Sequence, residues 1–349
     1  MRLMRTLAAD AGGLWGLSVV AMALFMALFA YGLAADPSEN ANTIVPSIAL
    51  RPPGFELDLL EIQPAPCGGL ERLWKGCPNA AQALPLEAWE TTEEGIRYRV
   101  VGSPPDEWRT LGSNIPHRIV HRRFWMGTDR FGRDLFSRLL IGSRVSLSVG
   151  FVAVALSLLI GLPLGAWAGF KGGRTDAWIS GLIQVVWSLP GLMLVIAVTL
   201  ALGKGFWQVF VAVGLSMWVE VARIVRGEVM AEKQKEYVDA ARVMGFGDRR
   251  ILFGHIVPNV SAPLIVVSAA NFASAILIES GLSFLGLGAR PPIPTWGGII
   301  KDHYAYLMMG KGWLALWPGL CLMSVVLAFM MLGNRLRDVL DVRNTPSAS

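Results

Sequence analysis

Charge is scarce in this sequence. Asp, Glu, Lys and Arg supply 16% of its 349 residues, against about 25% in soluble domains, which excludes a large water-facing surface and indicates a bilayer. No run of five or more Lys/Arg occurs, and the basic residues are not interleaved with stacking aromatics. Nucleic acid is thereby excluded as a partner. The formal charge of +5 fits basic loops on one face of a membrane instead. No G-x-x-x-x-G-K-[ST] loop is present, and Gly203-Lys204 is followed by Gly205 rather than Ser or Thr, so the chain has no phosphate cradle for ATP. There is no H-E-x-x-H, and the four histidines form no carboxylate-flanked cluster, so no metal site is expected. Ser283 lacks the glycine two residues on that a nucleophile elbow needs. A chain that is not an enzyme and holds no cofactor of its own is the expectation.

Cysteine is also sparse. Cys67 and Cys77 share one polar region, while Cys321 lies in an apolar run. Two ligands are too few for zinc. If the region is extracytoplasmic, Cys67 and Cys77 form a local disulfide; otherwise they are two unpaired thiols.

What the chain does contain is long apolar segments. Six are long enough to cross about 30 Å of hydrocarbon: 14–35, 144–169, 177–202, 206–226, 262–285 and 313–333. The fold class is therefore an all-α polytopic membrane protein, with the first segment an uncleaved anchor. Arg2, Arg5, Lys171, Arg174, the basic residues of 227–261 and Arg335, Arg337 and Arg343 occupy alternate connections. The positive-inside rule makes these cytoplasmic and puts both termini on the same side. The resulting organisation is a tail and first span (1–35), an extracytoplasmic insert with an interfacial helix (36–143), five further helices (144–343) and a short tail (344–349). Prolines forbid a long helix in 36–122, while the alternation in "IRYRVV" suggests a strand, giving an irregular or β-containing cap. Thr128, Asp129, Arg133 and Asp134 are expected to cap and salt-bridge the interfacial helix.

Gly161, Gly165 and Gly169, four residues apart, allow close helix approach, and Pro163, Pro190 and Pro263 lie in or beside spans. Acids inside the spans are few. Glu220, near the cytoplasmic end of its span, is expected to pair with Arg223 three residues on, and Glu279 to lie towards the outer end of its span, where it could line a path.

The polar stretch "EYVDAARVMGFGDRRILFGHIVPN" (236–259) stands between the fourth and fifth spans. Nothing breaks a helix from Glu232 to Met244, and Tyr237, Ala240, Ala241 and Met244 share one apolar face that ends at Gly245. Asp248 is placed to N-cap a second helix that Pro258 closes. So short a helix needs burial. Its small Ala-Ala centre favours a protein groove over headgroups, with packing on the chain's own spans the alternative.

This stretch resembles the EAA loop of permease subunits in binding-protein-dependent ABC importers. Asp239-Ala240-Ala241 stand at the Glu-Ala-Ala positions, Gly245 at the motif's glycine and Pro258 near its end; Asp for Glu and Val257 for Leu are mild departures. "GTDRFGRDLFSRLLIGSRVSLSVG" (127–150), "AGFKGGRTD" (168–176), "ESGLSFLGLGARPPIPTWG" (279–297) and "LRDVLDVR" (336–343) look like the second permease of the dipeptide/oligopeptide branch. The resemblance implies a heterodimer with a homologous permease, two ATPase subunits that bind ATP and Mg, and an extracytoplasmic substrate-binding protein. It implies that loop 227–261 couples to the ATPase through Glu236, Tyr237, Asp239, Ala240, Ala241, Met244, Gly245 and Pro258. Glu279, Ser283, Pro291, Pro292 and Trp296 are candidates for a translocation path or outer gate. Two other readings stay open at this point: a secondary carrier or channel, and a membrane enzyme using 36–122.

Overall fold

The computed structural model describes residues 10–64, 74–78, 82–93, 95–203 and 205–340. In chain order the first helix, α1, is Ala11–Leu28, followed by a single turn at Ala30–Leu33. Five strands come next: β1 (Phe55–Ile62), β2 (Gln82–Thr92), β3 (Gly95–Val100), β4 (Arg109–Gly112) and β5 (His117–Phe124). The remaining helices are α2 (Leu135–Lys171), α3 (Gly173–Trp187), α4 (Gly191–Leu202), α5 (Phe206–Glu232), α6 (Glu236–Val243), α7 (Asp248–Ile251), α8 (Ser261–Phe284), α9 (Trp296–His303) and α10 (Trp313–Leu340). A π turn at Leu252–Ile256 and a short turn at Val257–Asn259 connect α7 to α8.

Among the described residues five helices (α1, α2, α5, α8 and α10) are long and apolar enough to cross a membrane. The expected third span, 177–202, is not straight: α3 and α4 are bent by 91° and make a sixth span only if taken together. Proline explains the break. Pro190 has no N–H and disfavours helix in the residue before it, so α3 stops at Trp187 and α4 restarts at Gly191. Pro163 and Pro318, by contrast, lie inside continuous helices.

The chain divides into two compact units. The first comprises Met1–Met22, Leu147–Gly288 and Leu322–Ser349. Its α2 and α5 meet backbone to backbone along the glycine stripe. A Cβ on Gly165 would run into the Ala222 carbonyl; one on Gly161 would come within 2.5 Å of the Trp218 oxygen, and one on Gly169 within 2.6 Å of the Arg226 oxygen. Only glycine permits this separation. Arg226 also reaches from α5 to α3, donating to both Asp176 oxygens at 2.5 and 2.6 Å.

The second unit comprises Ala23–Ser146 and Ala289–Cys321. It holds an antiparallel sheet in the order β4-β3-β2-β1-β5. "FELDLLEI" forms β1 because its alternating side chains can serve two faces. Leu57 and Leu59 pack with Val45, Ile48 and Phe124, whereas Leu60 packs with Leu86, Ile96, Tyr98 and Leu111. The expected "IRYRVV" strand falls on β3. Cys77 is disulfide-bonded and Cys321 is free; Cys67 lies outside the described residues, as do 344–349.

Among the described residues no separate interfacial helix precedes α2. Residues 127–134 instead form a tight loop closed by the Thr128–Asp134 bridge. The Asp129 carboxylate accepts the Phe131 and Arg133 N–H groups at 2.8 and 2.9 Å and the Arg133 guanidinium at 2.6 Å. These local bonds compete with helix. Helix begins only where Asp134 accepts the Ser137 N–H at 3.0 Å, as an N-cap does.

Candidate functional site

Loop 233–260 is built as an elbow on the first unit. α5 ends at Glu232, and the chain does not run on as one helix to Met244: Lys235 is extended (φ −83°, ψ 146°) and α6 restarts at Glu236. Glu232 marks this corner, accepting Lys235 Nζ at 2.5 Å and the Tyr237 hydroxyl at 2.8 Å. α6 ends as the sequence indicates. Gly245 has φ +81°, its N–H bonds the Arg242 oxygen at 2.9 Å, and the Phe246 N–H bonds the Ala241 oxygen at 3.1 Å. That pair of bonds is a Schellman motif, which needs a left-handed residue at the Gly245 position.

The elbow is fixed from beneath by apolar contact. Val238, Ala241, Ile251, Leu252 and Ile256 pack in one cluster with Ala166 and Phe170 of α2, Val221, Val225 and Val229 of α5, and Leu264 of α8. Polar ties flank the cluster. Lys233 Nζ donates to the Phe170 oxygen at 2.5 Å, and Lys171 Nζ lies 2.7 Å from Asp248. The Lys171 ammonium holds the Asp248 carboxyl below its usual range. Asp248 is thus the first helical residue of α7 with a side chain used as an anchor, and Gly247 occupies the cap position.

This packing divides the face expected to be uniform. Ala241 is buried and Tyr237 half-buried against the chain's own helices, whereas Ala240 and Met244 point away. Met244 is 64% and Val243 88% exposed. Val243 is the residue the sequence pattern missed; it extends the open patch beyond Ala240 and Met244 on the short α6. Glu236, Asp239, Gly245 and Pro258 are exposed around it, and Asp239 is bonded to Arg242 at 2.9 Å. Phe253, 50% exposed, adds an aromatic ring on the turn after α7. The loop therefore has one side welded to the bundle and an apolar, acid-edged side left open.

The other candidates are divided between the two units. Glu279 and Ser283 lie in the first unit, while Pro291, Pro292 and Trp296 lie in the second. Glu279 is 1% exposed and accepts the Ser283 hydroxyl at 2.6 Å. Pro291 and Pro292, joined by a cis peptide bond, are exposed. Trp296 is not available at a surface: it is 1% exposed, its ring N–H donates to the Leu139 oxygen at 3.1 Å, and its main-chain N–H donates to Ser146 at 3.2 Å. An indole with a partner for its N–H is stable in a core, which is where these two bonds put it. Among the described residues no group of three or more His, Cys, Asp or Glu side chains is arranged to hold a metal ion.

Residues 161–345 match the family described as "Binding-protein-dependent transport system inner membrane component". The dipeptide transport system permease protein DppC of Alkalihalophilus pseudofirmus is 40% identical over 217 residues, covering 62% of this chain and 71% of that protein. The glutathione transport system permease protein GsiD of Pectobacterium atrosepticum is also 40% identical over 217 residues, covering 62% and 72%. A solved inward-facing structure of the MetNI methionine ABC transporter covers 58% of this chain and 95% of its own, with 18% identity and a TM-score of 0.49.

Proposed function

The chain belongs to the family of binding-protein-dependent transport system inner membrane components, and we propose that it is one of two paired permeases in an ATP-driven importer of peptides or peptide-like solutes. The elbow carries this reading: Ala240, Val243 and Met244 stay open on a loop whose opposite side is fixed to α2, α5 and α8. A chain without a phosphate loop has to receive the energy of ATP hydrolysis from another polypeptide. A helix clamped to three spans converts a push on its free face into rigid-body movement of those spans.

In this reading the elbow docks on a separate ATPase subunit that binds ATP and Mg, and two such subunits serve the permease pair. The chain itself is non-enzymatic. Loop 227–261 and both termini face the cytoplasm of a bacterial or archaeal cell, residues 36–122 face the opposite side, and a substrate-binding protein delivers solute there. Exposed Pro291 and Pro292, not buried Trp296, are the part of their loop offered to that protein. A dipeptide permease and a glutathione permease among the relatives support a small peptide-like solute.

Purification of the chain with its neighbours tests the reading. The expected result is an ATPase subunit in the complex and a cross-link to it from Val243→Cys. A Val243→Cys thiol that stays open to soluble reagents in the assembled, active complex would sink it.

A further inference from the structure

The bend between α3 and α4 borders a cavity of about 430 Å³ within the first unit. That volume falls in the range of roughly 300–1,000 Å³ used for small solutes. Trp187, Pro190, Ser216, Glu220, Ser274 and Ile278 form part of its wall. The sequence pairs Glu220 with Arg223, but the guanidinium of Arg223 lies over the Trp187 ring, 3.8 Å from its centroid. Among the described residues Glu220 has no hydrogen-bond or ion-pair partner. Nor is Glu220 near a helix end. α5 runs from Phe206 to Glu232, so at 1.5 Å per residue Glu220 stands about 21 Å from one end and about 18 Å from the other.

A carboxylate within a span is costly and is retained for pairing or for function. Here the pairing group has turned away, and the carboxylate lines a cavity otherwise walled by apolar side chains and two serine hydroxyls. One anionic group, acceptor oxygens and an apolar wall complement a primary ammonium on an apolar or amide body. An anionic leading group would meet the repulsion of Glu220, with Arg223 held over the Trp187 ring rather than among the lining residues.

We propose that this cavity receives the ammonium end of a passing solute and that Glu220 selects for its positive charge. The proposal rests on the importer reading and adds to it which end of the solute the membrane unit recognises.

The test uses the assembled complex in proteoliposomes with Cys321→Ala and Ser216→Cys. Labelling rates are compared for a trimethylammonium-ethyl and a sulfonato-ethyl methanethiosulfonate, each relative to a free thiol. The cationic reagent should be favoured by about ten-fold or more, the lower range of charge focusing in a cleft. Glu220→Gln should bring the ratio near one, and Glu220→Asp should retain most of it. Alanyl-alanine amide should slow labelling, while its N-acetyl derivative should not. An unchanged ratio in Glu220→Gln, equal protection by both amides, or no labelling by either reagent would overturn the proposal. The Val243→Cys cross-link reports on the importer reading separately, so the two failures are distinguishable.

Discussion

Lys171, the last residue of α2, and Asp248, the first of α7, meet at 2.7 Å with side chains 41% and 53% exposed. A pair so exposed contributes at most about 1 kcal/mol. Beside it Val238, Ala241 and Ile251 are at most 1% exposed. Lys171→Ala should therefore change stability by less than about 1 kcal/mol, whereas Ile251→Ala should cost about 2–5 kcal/mol. Thermal unfolding of the purified protein separates the two; equal shifts would contradict apolar bracing of the elbow.

Gly245 has φ +81° and open space where a Cβ would stand, so its constraint is conformational and not steric. A Cβ in the left-handed region costs about 1–2 kcal/mol, and Asn tolerates it better than Ala. Uptake should fall in the order Gly245, Asn, Ala, and Gly245→Glu should abolish it while the protein still inserts. Normal substrate-stimulated ATPase activity in the reconstituted Glu variant would refute this.

Val243 touches little in the free chain, being 88% exposed. Val243→Asp should leave the stability of the isolated subunit within about 0.5 kcal/mol of wild type yet abolish recovery of the ATPase subunit by affinity purification. Full recovery would show that the open face of α6 is not the docking surface.

Sequence alone revealed the elbow's stop at Gly245 and its apolar character, because a glycine at a helix end and a 3.6-residue period are local signals. It did not reveal which side faces inward. Ala241 and Ala240 are neighbours with identical chemistry, and only the contact of Ala241 with residues of α2, α5 and α8 separates them. Trp296 is buried against the sequence expectation for a related reason: its partners Leu139 and Ser146 lie about 150 residues away. The expected Glu220–Arg223 pair follows from helical spacing, and Trp187 at the end of α3 overrides it by taking the Arg223 guanidinium over its ring. Residues 127–134 read as helix because their capping residues are helix-start residues, but Asp129 spends its carboxylate on the loop's own N–H groups.

Asp134 offers a pH test in the second unit. It is 2% exposed, and burial pushes its carboxyl up to about 6 despite the Ser137 hydrogen bonds that lower it. An acid whose folded value lies above its unfolded value near 3.9 binds more protons when folded. Its contribution is full below about pH 4 and is lost as pH rises through about 6. Asp134→Asn keeps an accepting oxygen without the charge. The variant should gain on wild type by up to about 3 kcal/mol between pH 4 and pH 7.5; a constant offset in melting across that range would contradict the burial argument.

The glycine stripe also sets how movement passes through the first unit. Where Gly161, Gly165 and Gly169 lie on the carbonyls of α5, with only the stiff side chains of Val221 and Val229 beside them, little side-chain layer remains to be compressed before force is felt. One helix cannot ratchet a turn along the other without first being prised off it. The pair accordingly behaves as a gear without backlash, and any displacement entering at Val238 or Ala241 reaches α2 and α5 with no play to take up.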